Sequence, residues 1–197
     1  MTRRNQGWKS VPSLRTEHAL LHELSLDEVL LVLRGADDLI GMGGRTLLSK
    51  ILKGSRDKRV LEHNLDSNPV YGCWQDWPPE AVMAAIDQCI NRGFLRIIYS
   101  GRLPVLVFTQ HGWDLERAQR IEEFLREWDQ WLENGVTPVS MEYLKDRDRG
   151  MILEFLERIY ATKDPRYIPF LKKWAAVDYK KVHAVINQVI KALQTET

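Results

Sequence analysis

The residues with most chemical capacity in this chain are gathered in Lys53-Gly54-Ser55-Arg56-Asp57-Lys58-Arg59. An apolar helix end, Ile51-Leu52, runs into the glycine, and Ser55 stands where a helix N-cap belongs. Free amides at a helix start, a hydroxyl and the flanking Lys53, Arg56, Lys58 and Arg59 make an anion site, best suited to a phosphate. Arg45 and Lys50 extend the patch, while Asp57 and Glu62 subtract from it. The plain alternative is a capped, solvated helix turn.

Other chemistry is sparse. His18, His22, His63, His111 and His183 are scattered without metal-ligand spacing. Cys73 and Cys89 form no Cys-x-x-Cys pair, which favours two reduced thiols over a zinc site or a disulfide framework. No serine or cysteine has an evident base beside it, so a hydrolase is not indicated. Gly41-Met42-Gly43-Gly44-Arg45-Thr46 is reminiscent of a phosphate loop but lacks its lysine, and reads as a helix–helix turn. The expectation is a protein with no catalytic residues, no metal and no cofactor.

The elements that must position the basic run are legible. Ser25-Leu26-Asp27-Glu28 is a capping box opening a helix with Val29, Leu30, Val32 and Leu33. After the glycines a second helix covers Thr46–Leu52, and a short third runs over about Asp57–His63. Leu65–Trp77 is broken by Asn68-Pro69 and Tyr71-Gly72 and reads as loop, with Tyr71 and Trp74 as core side chains closing it. Pro78-Pro79 starts a fourth helix that Gly93 stops. Phe94–Tyr99 and Val105–Thr109 are β-rich runs joined through Ser100-Gly101-Arg102-Leu103-Pro104, a hairpin. A set of helices followed by a hairpin is the order of a winged helix.

From Asp114 onward helical periodicity takes over. A long helix pairs an apolar face (Ile121, Leu125, Trp128) with an acidic one; further helices cover about Ser140–Tyr160, a segment opened by Asp164-Pro165, and an amphipathic stretch from Val182 to Leu193. Asp164-Pro165-Arg166-Tyr167 resembles the start of a HEAT-like repeat, although one repeat is a weak signal. The expected fold class is an α+β winged helix, a helix bundle with a β-hairpin wing, followed by an all-α C-terminal helical domain. The expected domains are a basic tail and lead-in at 1–24, the winged helix at 25–113 and the helical domain at 114–197. Length, 44% apolar and 28% charged residues fit this plan. A net charge of +1 means that any polyanion surface must be local. No stretch is long and apolar enough to span a bilayer, so a cytoplasmic, nucleoid-associated protein with no membrane partner is expected.

Residues 25–113 resemble the RQC domain, the winged helix of RecQ-type helicases. The resemblance rests on Leu52-Lys53-Gly54-Ser55, Arg59-Val60, Tyr71-Gly72, Gly93-Phe94-Leu95 and the closing Leu106-Val107-Phe108-Thr109 with Gly112, in the family's order and spacing. In detail the chain looks nearest to small stand-alone bacterial RQC-minor DNA-binding proteins. It has neither the motor motifs nor the zinc-binding cysteines of RecQ helicases. The resemblance implies phosphate contacts from Lys53, Gly54, Ser55 and Arg59, with Arg56, Lys58, Arg45 and Lys50 adjacent. It also implies a wing whose Arg102 reaches a phosphate and whose Leu103 acts as an apolar wedge. With no aromatic expected at the tip, holding of DNA is expected rather than strand opening. The implied function is non-catalytic binding of duplex, fork or junction DNA, with the helical domain docking a protein such as a helicase or nuclease. A protein–protein module and a structured-RNA binder are the alternatives.

Overall fold

The computed structural model describes residues 22–145 and 147–195, so the basic tail expected at the N-terminus lies outside the described residues. The chain divides into two compact units, residues up to Glu116 and residues from Arg117.

In the first unit, α1 (Leu26–Asp37) opens on the expected capping box. Ser25 Oγ accepts from the Glu28 amide and the Glu28 carboxylate accepts from the Ser25 amide. Helices α2 (Arg45–Leu52), α3 (Lys58–Glu62) and α4 (Pro79–Asn91) follow. Val32, Leu33, Leu48, Ile51, Leu52 and Ile86 are fully buried among α1, α2 and α4. Each such aliphatic contributes about 1.5–3 kcal/mol over an exposed one. The faces of those three helices therefore hold the unit. Helix α3 buries Val60 alone, and five residues are too few for a helix to stand by itself. Caps and an ion pair hold it instead.

At the end of α4 the Gly93 amide donates to Ile90 O and the Phe94 amide to Cys89 O, a Schellman closure that turns the chain into the wing. Strands β1 (Leu95–Ser100) and β2 (Leu103–Phe108) pair antiparallel, from Leu95 opposite Phe108 to Ser100 opposite Leu103. Both strands run closer to the tip than the five-residue loop read from sequence. The turn is Gly101-Arg102 alone, with positive φ at the glycine, the geometry that matches strand twist in a two-residue hairpin. The Gly41–Gly43 loop lies along β2. Gly41 N–H donates to Leu106 O at 2.9 Å, and Leu106 N–H donates to Gly43 O at 2.8 Å. The glycine run is thus the wing's anchor.

Helix α5 (Gln110–Glu133) crosses the boundary between units. Its first turns belong to the winged helix because Leu115 packs on that core and Gly112 lies against the Phe94 carbonyl. The division therefore falls at 116/117 rather than 113/114.

The second unit adds α6 (Arg149–Thr162), α7 (Ile168–Val177) and α8 (Lys180–Thr195). Its core is aromatic: Trp128 lies 5.0 Å from Phe155 and 6.0 Å from Trp174, ring centre to ring centre. The helix expected over Ser140–Tyr160 is split into a 3-10 turn, Glu142–Leu144, and α6. Asp148 forces the break by capping α6 through the Met151 amide at 2.9 Å. The apolar stripe of the last helix is spent inside the unit, with Ile186, Val189, Ile190 and Leu193 buried.

Candidate nucleic-acid interface

The basic turn begins as the end of α2. Gly54 N–H donates to Ile51 O and Ser55 N–H to Lys50 O, both at 2.9 Å, closing a second Schellman motif. A helix C-terminus has unpaired carbonyls and takes the nearest donors. Ser55, expected as the N-cap of the next helix, is not the N-cap of α3. That place is held by Asp57, whose carboxylate accepts from the Arg59 amide at 3.1 Å, while Ser55 Oγ accepts from the Asp57 amide at 3.3 Å. The Lys50 ammonium, 2.7 Å from Asp57, together with the Arg59 amide holds the Asp57 carboxyl below the usual carboxylate range.

The loop after α3 docks back on the same turn. Gly72 N–H donates to Ile51 O and Trp74 N–H to Leu52 O, each at 2.9 Å. Lys53 Nζ reaches across to the carbonyls of Gln75 and Trp77, each at 2.5 Å. Trp74 is buried and stacks on Trp77 with ring centres 4.5 Å apart, and Tyr71 packs half-buried on the core. Both are structural aromatics.

The cations therefore divide into two groups. Lys53 clamps the loop, Lys50 holds Asp57, and Arg45 lies 2.5 Å from Asp87. Arg56 and Arg59 are exposed and form no ion pair among the described residues. Lys58 meets Glu62 at 3.4 Å, but its side chain is 85% exposed, so water screens the pair.

At the wing, Arg102 is exposed in the turn and Leu103 is 66% exposed beside it. Tyr99, one register position back and opposite Pro104, is 73% exposed. The tip is thus not without an aromatic, contrary to the sequence reading. The signal was present: Gly101-Arg102 as a two-residue turn puts Tyr99 in the second pair from the tip. Arg96 on β1 is a further exposed cation that the sequence reading passed over.

A family model described as the RQC domain matches residues 27–126, just over half of the chain. The chain belongs to the RQC family. No curated protein and no solved structure gives a significant match. The RQC domain is the winged helix of RecQ-type helicases, a nucleic-acid-binding module, and its match here takes in the basic turn, the wing and part of α5. The Leu52-Lys53-Gly54-Ser55 and Tyr71-Gly72 runs, on which the resemblance rests, are the two backbone segments that touch at Gly54 and Gly72. No cluster of metal-binding side chains occurs among the described residues, and none of their helices is long and apolar enough to cross a membrane.

Proposed function

We propose that this protein binds duplex or junction DNA without catalysis, its RQC winged helix holding the phosphate backbone. The observation that supports this most is the pair of exposed arginines, Arg56 and Arg59, which form no ion pair among the described residues and lie within the matched RQC region. Arg56 in the basic turn and Lys58 and Arg59 on α3 make the main contacts, and Arg102 and Leu103 meet a groove or duplex end. Arg45 and Lys50 can exchange a carboxylate for a phosphate. Lys53, Gly54 and Ser55 set the shape of the turn, with one ammonium proton and one hydroxyl left to offer. Backbone contacts carry little sequence information, so base specificity is low. Docking of a helicase or nuclease would use the polar surface of the helical unit, since its apolar stripe is buried.

The test is a binding panel of blunt duplex, forked DNA and an RNA hairpin at two salt concentrations, with the full chain and with Arg56→Glu, Arg59→Glu. The reading expects the double variant to lose duplex binding. It also expects the wild-type salt slope to report several phosphate contacts, at about 0.9 per contact on B-DNA. If the wild type binds neither DNA substrate, the reading fails. Preference for the RNA hairpin would move it to structured RNA.

A second reading, a protein–protein module, is favoured by the exposed apolar side chains of the wing, Ile97, Ile98 and Leu103. It expects the arginine reversals to leave partner capture intact while Ile98→Asp abolishes it.

A further inference from the structure

The helical unit carries a charge arrangement that its fold does not need. Between Pro165 and Thr195 the chain has six Lys or Arg residues and one carboxylate, Asp178. Lys180 and Lys181 are the first two residues of α8, and Arg149 is the first of α6. Cations at the positive end of a helix dipole oppose helix formation, and acidic residues are favoured there. A local rule broken at several neighbouring positions marks a place where something other than folding set the sequence.

These cations meet at one cleft. Arg147, Arg149, Lys180 and Lys181 line a cavity of about 470 Å³, together with the apolar Leu144 and Ile152. None of the four forms an ion pair among the described residues; Arg147 Nε donates to the Tyr143 carbonyl. Among the described residues the one carboxylate in the lining is Asp178, and its oxygens are taken elsewhere. The Trp174 indole N–H donates to Oδ2 and the Tyr179 amide to Oδ1, both at 2.6 Å. Asp148 is spent capping α6. The sequence also places Asp146 beside Arg147, which lowers the positive excess without cancelling it.

The cleft has an aromatic as well. Tyr179 lines it, is 57% exposed, and has the Lys145 ammonium 5.1 Å from its ring centre. A ring presented among cations suits a ligand that carries both negative charge and a flat apolar face. Single-stranded nucleic acid supplies both, through backbone phosphates and unstacked bases. In an intact duplex the base faces are covered by stacking, so the ring would gain nothing there. A volume of about 470 Å³ accommodates a nucleotide and not a double helix.

We infer that this cleft binds a single-stranded nucleic-acid segment, its phosphates held by Arg147, Arg149, Lys180 and Lys181 and a base stacked on Tyr179. The site is separate from the duplex contacts of the winged helix and does not depend on them. It gives the helical unit a substrate of its own, the unpaired strand at a fork or junction.

The experiment measures fluorescence anisotropy of a labelled oligothymidylate of about twelve nucleotides, within the range one strand-binding module covers. The full chain is compared with Lys180→Glu, Lys181→Glu and with Tyr179→Ala. The charge reversal should weaken oligothymidylate binding at least tenfold, and Tyr179→Ala about fivefold or more, as loss of one stacked base implies. Lys180→Gln, Lys181→Gln should lower the salt slope by about 1.4, at 0.7 per single-strand phosphate. Blunt-duplex affinity should stay within about twofold, a readout that Arg56→Glu, Arg59→Glu moves instead. Glutamate at the start of α8 suits the helix dipole, so the reversal should not unfold the unit, which a thermal melt confirms. Equal binding of oligouridylate supports the cleft and adds RNA as a source of the strand. Wild type that ignores the oligothymidylate, variants that bind it as well as wild type, or a glutamate-rich peptide that binds the cleft equally tightly each overturn the inference.

Discussion

Gly54 and Gly72 cross backbone against backbone: a β-carbon on Gly54 would stand 3.0 Å from the Gly72 Cα. Both have positive φ, +67° and +74°, which side chains other than hydrogen tolerate poorly. The crossing lets Gly72 reach the Ile51 carbonyl and Lys53 reach the carbonyls beyond it. It makes one rigid piece of α2, the basic turn and the aromatic loop. Gly72→Ala carries only the left-handed penalty, about 1–2 kcal/mol, because its β-carbon would have 3.5 Å to the nearest atom. Gly54→Ala adds a backbone clash and should cost more. Urea unfolding of both variants checks the order, and equal midpoints would contradict it.

Lys53 and Arg59 belong to the same sequence run and should fail in opposite ways. Lys53→Ala removes two charge-assisted bonds to loop carbonyls, at a cost of about 1–1.5 kcal/mol at this half-buried site. It should lower the urea midpoint and leave the salt slope of DNA binding near wild type. Arg59→Ala should leave the midpoint unchanged and reduce the slope by about 0.9.

Tyr99 is 73% exposed beside the wing tip, and in the proposed complex it presents an aromatic face to a duplex end. Tyr99→Ala should reduce affinity about fivefold or more for a duplex with open ends, as loss of one stacking contact implies. A duplex of the same length with both ends closed by hairpin loops should show no change. The difference between the two substrates is the measurement, and an equal loss on both would remove the end-stacking role.

Asp57 links the turn to pH. The Lys50 ammonium and then the Arg59 amide lower its pKa in the folded chain below the ordinary 3.8. A depressed carboxylate contributes stability that is complete above the unfolded value and is lost as pH falls through the folded value. Wild type should therefore exceed Asp57→Asn in urea midpoint at pH 6, and the gap should close below about pH 3.8. A gap independent of pH would mean that the cap's hydrogen bond, rather than its charge, holds α3.

What the sequence determined by itself is the order and type of the elements. The Ser25–Glu28 box, the Pro78-Pro79 start and the Gly93 stop act over four residues or fewer, so they are legible without a fold. With the apolar periodicity they place the four helices, a hairpin and an RQC domain, and the family match bears out the RQC domain. Only the tertiary structure decided which charges remain to be used. Arg45 finds Asp87 across 42 residues and Lys53 finds Trp77 across 24, and no local pattern reports such partners. The same holds for the cleft of the helical unit. Arg147 and Lys181 lie far apart in the chain, and it is the packing around α6 and α8 that brings them to one cavity. Within the basic turn, sequence proximity suggested a single cluster of equivalent cations. The fold sorted it, because a helix end with unpaired carbonyls takes the nearest donors and leaves only the more distant side chains facing solvent.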